Sequence, residues 1–171
     1  MLTDNSPQAI WRERRSPQIV VITGESGAGK TTWCGQMRAF AEREALRVAG
    51  LISYGVFDGD RKVAIALCAL PSGEQRILAT RREYVVGAAT PCWQFDESVL
   101  AWGDSQLAAL GACDVLIVDE LGPLELLHGL GWQSAFAALE AARYQLACVV
   151  VRPALVERFT ARFSAAQVIA L

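Results

Sequence analysis

The chain has 171 residues, a net charge of −2, 53% hydrophobic residues and a mean hydropathy of +0.26. That length suits one domain with a substantial core, and the near-balanced charge, with no large Lys/Arg cluster, carries no signal for a nucleic-acid groove. No apolar run has membrane-spanning length, no signal-peptide pattern opens the chain, and five scattered cysteines without a C-x-x-C pair argue against a disulfide framework or zinc site, so the expectation is a cytoplasmic protein.

Residues 1–17 are polar, contain Pro7 and Pro17, and read as a flexible leader with Trp11 as its one candidate anchor. Residues 18–171 read as a single domain. A strand over 19–23 runs directly into Gly24-Glu25-Ser26-Gly27-Ala28-Gly29-Lys30-Thr31-Thr32, in which Gly24, Gly29, Lys30 and Thr31 fill every fixed position of the G-x-x-x-x-G-K-[ST] phosphate-binding loop. Glycines at 24, 27 and 29 leave room for backbone N–H groups to converge on one anion. The following helix aims its positive end at that anion. Lys30 is expected to reach the β- and γ-phosphates of a nucleoside triphosphate, and Thr31 to hold Mg²⁺.

That helix places Trp33, Met37, Phe40 and Ala41 on one apolar stripe. Strands follow at 48–57 and 61–69, joined by Asp58-Gly59-Asp60, with an edge segment at 75–80 and a short extended piece at 84–86. A meander inserted this early extends the sheet edge or covers a ligand. Trp93 falls in an irregular stretch, as either a base-stacking platform or an ordinary loop residue. Asp96 is positioned to cap a helix carrying Val99, Leu100, Trp102, Leu107 and Leu110, with a break expected near Gly103-Asp104.

Val115-Leu116-Ile117-Val118-Asp119 is a continuous apolar run ending in an aspartate, and Glu120 follows. In a parallel sheet the C-terminal strand ends face the ligand crevice, so Asp119 is expected beside the phosphate loop, binding Mg²⁺ directly or through water. Glu120 is then the natural general base or orienter for an attacking water. Glu125 reads either as support for the metal ligands or as a helix N-terminal charge, and His128, the only histidine, as a loop residue.

A helix follows through Trp132, Phe136 and Leu139, then a strand at 147–151, a helix starting at Pro153 and a last strand at 168–171. Buried strands alternating with amphipathic helices specify an α/β three-layer sandwich, a mostly parallel sheet with helices on both faces and an edge β-hairpin insertion. The absence of an N-K-x-D tetrapeptide disfavours a Ras-like GTPase, and the Asp-Glu pair favours the RecA/ASCE-like strand order, with 147–151 between the loop strand and the aspartate strand. Arg152 ends that inserted strand. It reads either as a charge-stabilising catalytic residue or as a surface arginine.

Two signatures, Gly24 to Thr32 and Asp119-Glu120-Leu121-Gly122-Pro123-Leu124-Glu125-Leu126, resemble those of the THEP1-type nucleoside-triphosphatases, P-loop NTPases that hydrolyse NTPs with little base discrimination. The similarity runs over residues 18–171. It implies Mg²⁺-dependent hydrolysis, with a small-molecule kinase or a slowly hydrolysing nucleotide switch as alternatives and a protein partner or homo-oligomer left open. The chain departs from the family around the hairpin: Gly50 leads into Leu-Ile-Ser-Tyr-Gly-Val instead of Thr-x-Glu-Val-Arg, and the hairpin reads Asp58-Gly59-Asp60-Arg61-Lys62-Val63-Ala64.

Overall fold

The computed structural model describes residues 4–88 and 91–171. Residues 1–3 of the expected leader, and 89–90, lie outside the described residues. One eight-stranded sheet organises the chain in the order β5-β4-β3-β2-β6-β7-β1-β8. Its parallel half comprises β1 (Gln18–Thr23), β2 (Val48–Asp58), β6 (Val115–Leu121), β7 (Leu146–Val151) and β8 (Gln167–Ala170). Among them β1, β6 and β7 are almost wholly buried, which is why they read as apolar stretches in the sequence. β7 lies between β1 and β6, so the inserted strand expected at 147–151 occupies the expected position.

Beyond Leu51 the strand β2 leaves its parallel partner and continues as one arm of a long antiparallel hairpin with β3 (Arg61–Leu70). β4 (Gln75–Arg81) and β5 (Trp93–Phe95) complete this antiparallel extension. Trp93 therefore begins a strand instead of lying in an irregular stretch. Residues 84–86 form no strand, and Tyr84 and Val86 are 68% and 86% exposed, with no partner strand to bury them.

Helices cover both faces. α2 (Lys30–Arg43) buries Trp33, Cys34, Met37, Phe40 and Ala41 against Val20, Ile22, Ile117, Cys148 and Val150. On the opposite face α3 (Glu97–Ala108), α5 (Ser134–Ala141) and α6 (Val156–Arg162) bury Val99, Leu107, Phe136, Leu139 and Phe159 against Val21, Leu116, Val118 and Val149. Asp96 caps α3 by accepting from the Ser98 and Val99 N–H groups at 2.9 and 3.3 Å. The break expected at Gly103 does not occur. Gly103 packs under Trp132 and Leu67, where even a Cβ would approach the indole nitrogen to 2.8 Å.

The expected flexible leader instead carries α1 (Pro7–Glu13). Ser6 caps it, Pro7 occupies its first turn, Ile10 is buried, and Trp11 meets Phe40 edge-on at 6.5 Å. Trp33 Nε1 also donates to the Asn5 carbonyl at 2.7 Å. Tertiary packing on α2 orders a helix too short to be stable alone.

Candidate active site

The site forms where the parallel strands end. β1 delivers the loop from Gly24 to Gly29, and Gly29 takes a left-handed conformation (φ +94°) immediately before α2, as a residue without a Cβ can. The first N–H groups of α2 have no partner within the helix and are available to an anion. Lys30 Nζ donates to the Gly24 and Glu25 carbonyls at 2.6 and 2.8 Å. The ammonium is thereby held over the loop, while residues 25–28 are exposed along its rim.

β6 delivers the two carboxylates. Its ladder with β7 is interrupted between Val118 and Leu121, so Asp119 and Glu120 stand out of regular register at the crevice. Asp119 is only 2% exposed. Burial pushes its carboxyl up to about 7, opposed by hydrogen bonding from the Thr31 hydroxyl and the Ser53 N–H. Ser53 clamps this residue twice: its N–H lies 3.4 Å from Asp119 Oδ2, and its hydroxyl donates to the Asp119 carbonyl at 2.6 Å. Ser53 was not singled out from the sequence; it stands two residues past Leu51, the last β2 residue paired with β6.

Thr31 and Asp119 thus come together, one hydroxyl and one carboxylate, a hard-oxygen pair suited to Mg²⁺. Among the described residues, no group of three or more His, Cys, Asp or Glu side chains is arranged to hold a metal by itself. The donor set fits an ion that takes most of its remaining ligands from phosphate oxygens and water.

β7 delivers Arg152. Its Nε and Nη2 both lie 2.7 Å from Glu120 Oε1. Among the described residues the other Glu120 oxygen has no hydrogen-bond partner. Other arginines are engaged elsewhere or stand further along the chain's surface. Arg162 pairs with Glu140 at 2.6 Å and Arg158 donates to the Leu126 carbonyl, while Arg81 is exposed at the end of β4.

Glu125 settles on one of its two readings. Its Oε2 accepts from the Gly122 N–H at 2.9 Å and its Oε1 from the Trp132 N–H at 3.1 Å, so it caps the short helix α4 (Pro123–Leu126) and ties down the following loop. His128 is exposed in that loop.

A third cation reaches the same place from the other side. Lys62, near the start of β3, is half-buried, and its charge is felt by Glu120, Asp119, Arg152 and Lys30. Burial outweighs the attraction of the two carboxylates and holds its ammonium below the ordinary lysine value. A clue was available: the chain has only two lysines, and the other is Lys30.

A family model described as NTPase matches residues 19–169. The chain belongs to this NTPase family. Among curated relatives, the nucleoside-triphosphatase THEP1 of Methanopyrus kandleri is 34% identical over 111 residues, covering 64% of this chain and 61% of the relative. That of Caldivirga maquilingensis is 30% identical over 111 residues, covering 65% and 62%. The matched span is thus less than two thirds of those relatives' length. Among solved structures, a human cancer-related nucleoside triphosphatase superposes with a TM-score of 0.68 at 21% identity, covering 90% of this chain and 88% of the other. THEP1 from Aquifex aeolicus gives 0.54 at 18% identity, covering 90% of each. At those identities the likeness establishes the fold of this NTPase-family member.

Proposed function

We propose that this chain is a Mg²⁺-dependent nucleoside-triphosphatase that hydrolyses NTP to NDP and phosphate with broad base tolerance. The observation that carries the proposal is the convergence of Lys30, Thr31, Asp119, Glu120 and Arg152 at the ends of three adjacent parallel strands. Membership of the NTPase family and the names of the curated relatives support the same reading.

Gly24, Glu25, Ser26, Gly27, Ala28, Gly29, Lys30, Thr31 and Thr32 would wrap the phosphates with backbone N–H groups and the Lys30 charge. Thr31 and Asp119 would hold Mg²⁺, which when bound neutralises charge shared by the β- and γ-phosphates. Glu120 would orient a water with its unengaged oxygen and take its proton as the water attacks phosphorus. Arg152, fixed on the other Glu120 oxygen, orients that carboxylate and stands ready to meet the γ-phosphoryl oxygens.

Phosphate release from the purified chain, with ATP, GTP, CTP or UTP and no added acceptor, tests the reading. Expected are turnover on all four within roughly tenfold, about 1.4 kcal/mol, and loss of turnover on chelating Mg²⁺. Turnover only with an added acceptor would make the chain a kinase. Tight binding with almost no turnover would make it a switch.

A further inference from the structure

Lys62 has no counterpart in the machinery just described, yet it lies within the field of four of its charged side chains. It is carried by the antiparallel extension of the sheet, whereas Lys30 and Arg152 stand at the ends of parallel strands. β6, which carries Asp119 and Glu120, is flanked by β7 with Arg152 on one side and by β2 on the other. Lys62 belongs to β3, just beyond β2, in register with Phe57. The cations therefore bracket the two carboxylates across the sheet.

Local structure aims the side chain. The β2–β3 ladder slips between Val56 and Phe57, leaving Val63 as the extra residue that re-aims the strand end. Gly55 leaves space for the lysine stem: a Cβ there would lie 3.2 Å from Lys62 Cε and 2.6 Å from the Phe57 ring. The ammonium sits 5.5 Å from the centre of the Trp93 ring, a platform that holds a cation without neutralising it.

The charge is also unspent. Lys30 donates to two carbonyls and Arg152 places two donors on Glu120. Among the described residues Lys62 makes no hydrogen bond and no ion pair, although it is half-buried. A half-desolvated ammonium that no carboxylate contacts directly is costly in a fold, and it acts more strongly on a charge brought beside it than an exposed one would.

We propose that Lys62 is a catalytic residue of this site, its ammonium contacting the γ-phosphoryl oxygens of bound NTP from the side opposite Arg152. This rests on the nucleoside-triphosphatase reading. Water forms a bond to the γ-phosphorus and gives its proton to Glu120, while the bond to the β,γ-bridging oxygen breaks and its electron pair leaves with NDP. Lys62 stays protonated throughout. It stabilises the charge on the equatorial oxygens in the transition state, where a positioned cation is worth most.

The test compares the whole chain carrying Lys62→Met, which keeps the stem over Gly55 and Trp93 but removes the charge, with Lys62→Arg, which restores it. Expected for Lys62→Met are a kcat at least 100-fold lower, KM within threefold, an unchanged melting temperature, and at least 30-fold weaker binding of Mg²⁺–ADP–aluminium fluoride with ADP binding unaltered. Lys62→Arg should retain a tenth or more of the wild-type rate. A Lys62→Met enzyme within threefold of wild type in kcat and in aluminium fluoride binding would overturn the role of Lys62 alone. So would a Lys62→Arg enzyme as impaired as Lys62→Met. A wild-type chain with no turnover would overturn the hydrolase reading and this role with it.

Discussion

Arg152 contacts Glu120 through a single oxygen: Nε and Nη2 of the guanidinium both meet Oε1 at 2.7 Å. The pair joins the ends of two neighbouring parallel strands, β6 and β7. Arg152 is more than half exposed, with 56% of its side chain accessible, so the pair adds little to stability. Its value lies in geometry. One carboxylate oxygen is fixed and the other remains available to a water.

Arg152→Ala should therefore lower kcat by 100-fold or more at nearly unchanged nucleotide affinity, since a cation at the transferring phosphoryl group is worth roughly 10³–10⁵ in rate. The melting temperature should move by no more than a degree or two. Steady-state kinetics beside a thermal melt separates the two effects. An unchanged rate would make Arg152 a surface residue and shift the transition-state role to Lys62 or to a partner subunit.

Glu120→Gln keeps the acceptor for Arg152 and removes the proposed base. Mg²⁺–NTP binding should persist while kcat falls by about 10²–10⁴. Single-turnover hydrolysis together with equilibrium binding of the same nucleotide checks this. Intact turnover would mean that the proton is taken elsewhere.

Glu125→Ala should behave in the opposite way. It strips the acceptor from two N–H groups, Gly122 and Trp132, in a carboxylate environment that is itself buried. The expected loss is about 2–4 kcal/mol of stability, with kcat changed only a few-fold well below the melting temperature. Urea denaturation measures the first and phosphate release the second. A loss of rate at unchanged stability would place Glu125 in the chemistry.

The sequence made the centre of the sheet and one wall of the site readable because both depend on local pattern. The loop glycines, Lys30 and Thr31 have fixed spacing, and a buried parallel strand cannot hide its apolar run before Asp119. The missing parts depend on contacts distant in sequence. α1 is seven residues long and stands on Trp11–Phe40 and Trp33–Asn5 contacts, although Ser6-Pro7 was a start signal in plain view. β5 has three residues and exists because Ala79–Arg81 offers it an edge. Lys62 and Ser53 reach the site through the register of the β2–β3 hairpin, which no single stretch of sequence encodes.

The buried carboxyl of Asp119 makes the last prediction one of pH. Its value is raised from 3.8 to about 7, chiefly by burial, so the fold favours the protonated form. Between those two values the unfolded chain has released this proton while the folded chain still holds it. By linkage the contribution is fully present below 3.8, is lost as pH rises through about 7, and stays lost above it. The shift corresponds to at most about 4 kcal/mol. Asp119→Asn cannot ionise, so it should raise the melting temperature of the nucleotide-free protein at pH 8, with the gain shrinking towards zero near pH 4. With Mg²⁺ and NTP the order should reverse, because a cation beside the carboxylate offsets the cost of its charge and the asparagine offers no such partner. Melting curves of both proteins across pH, with and without Mg²⁺–NTP, measure this. A stability difference that does not vary with pH would show that burial of the Asp119 charge is not what the fold tolerates for the sake of the metal.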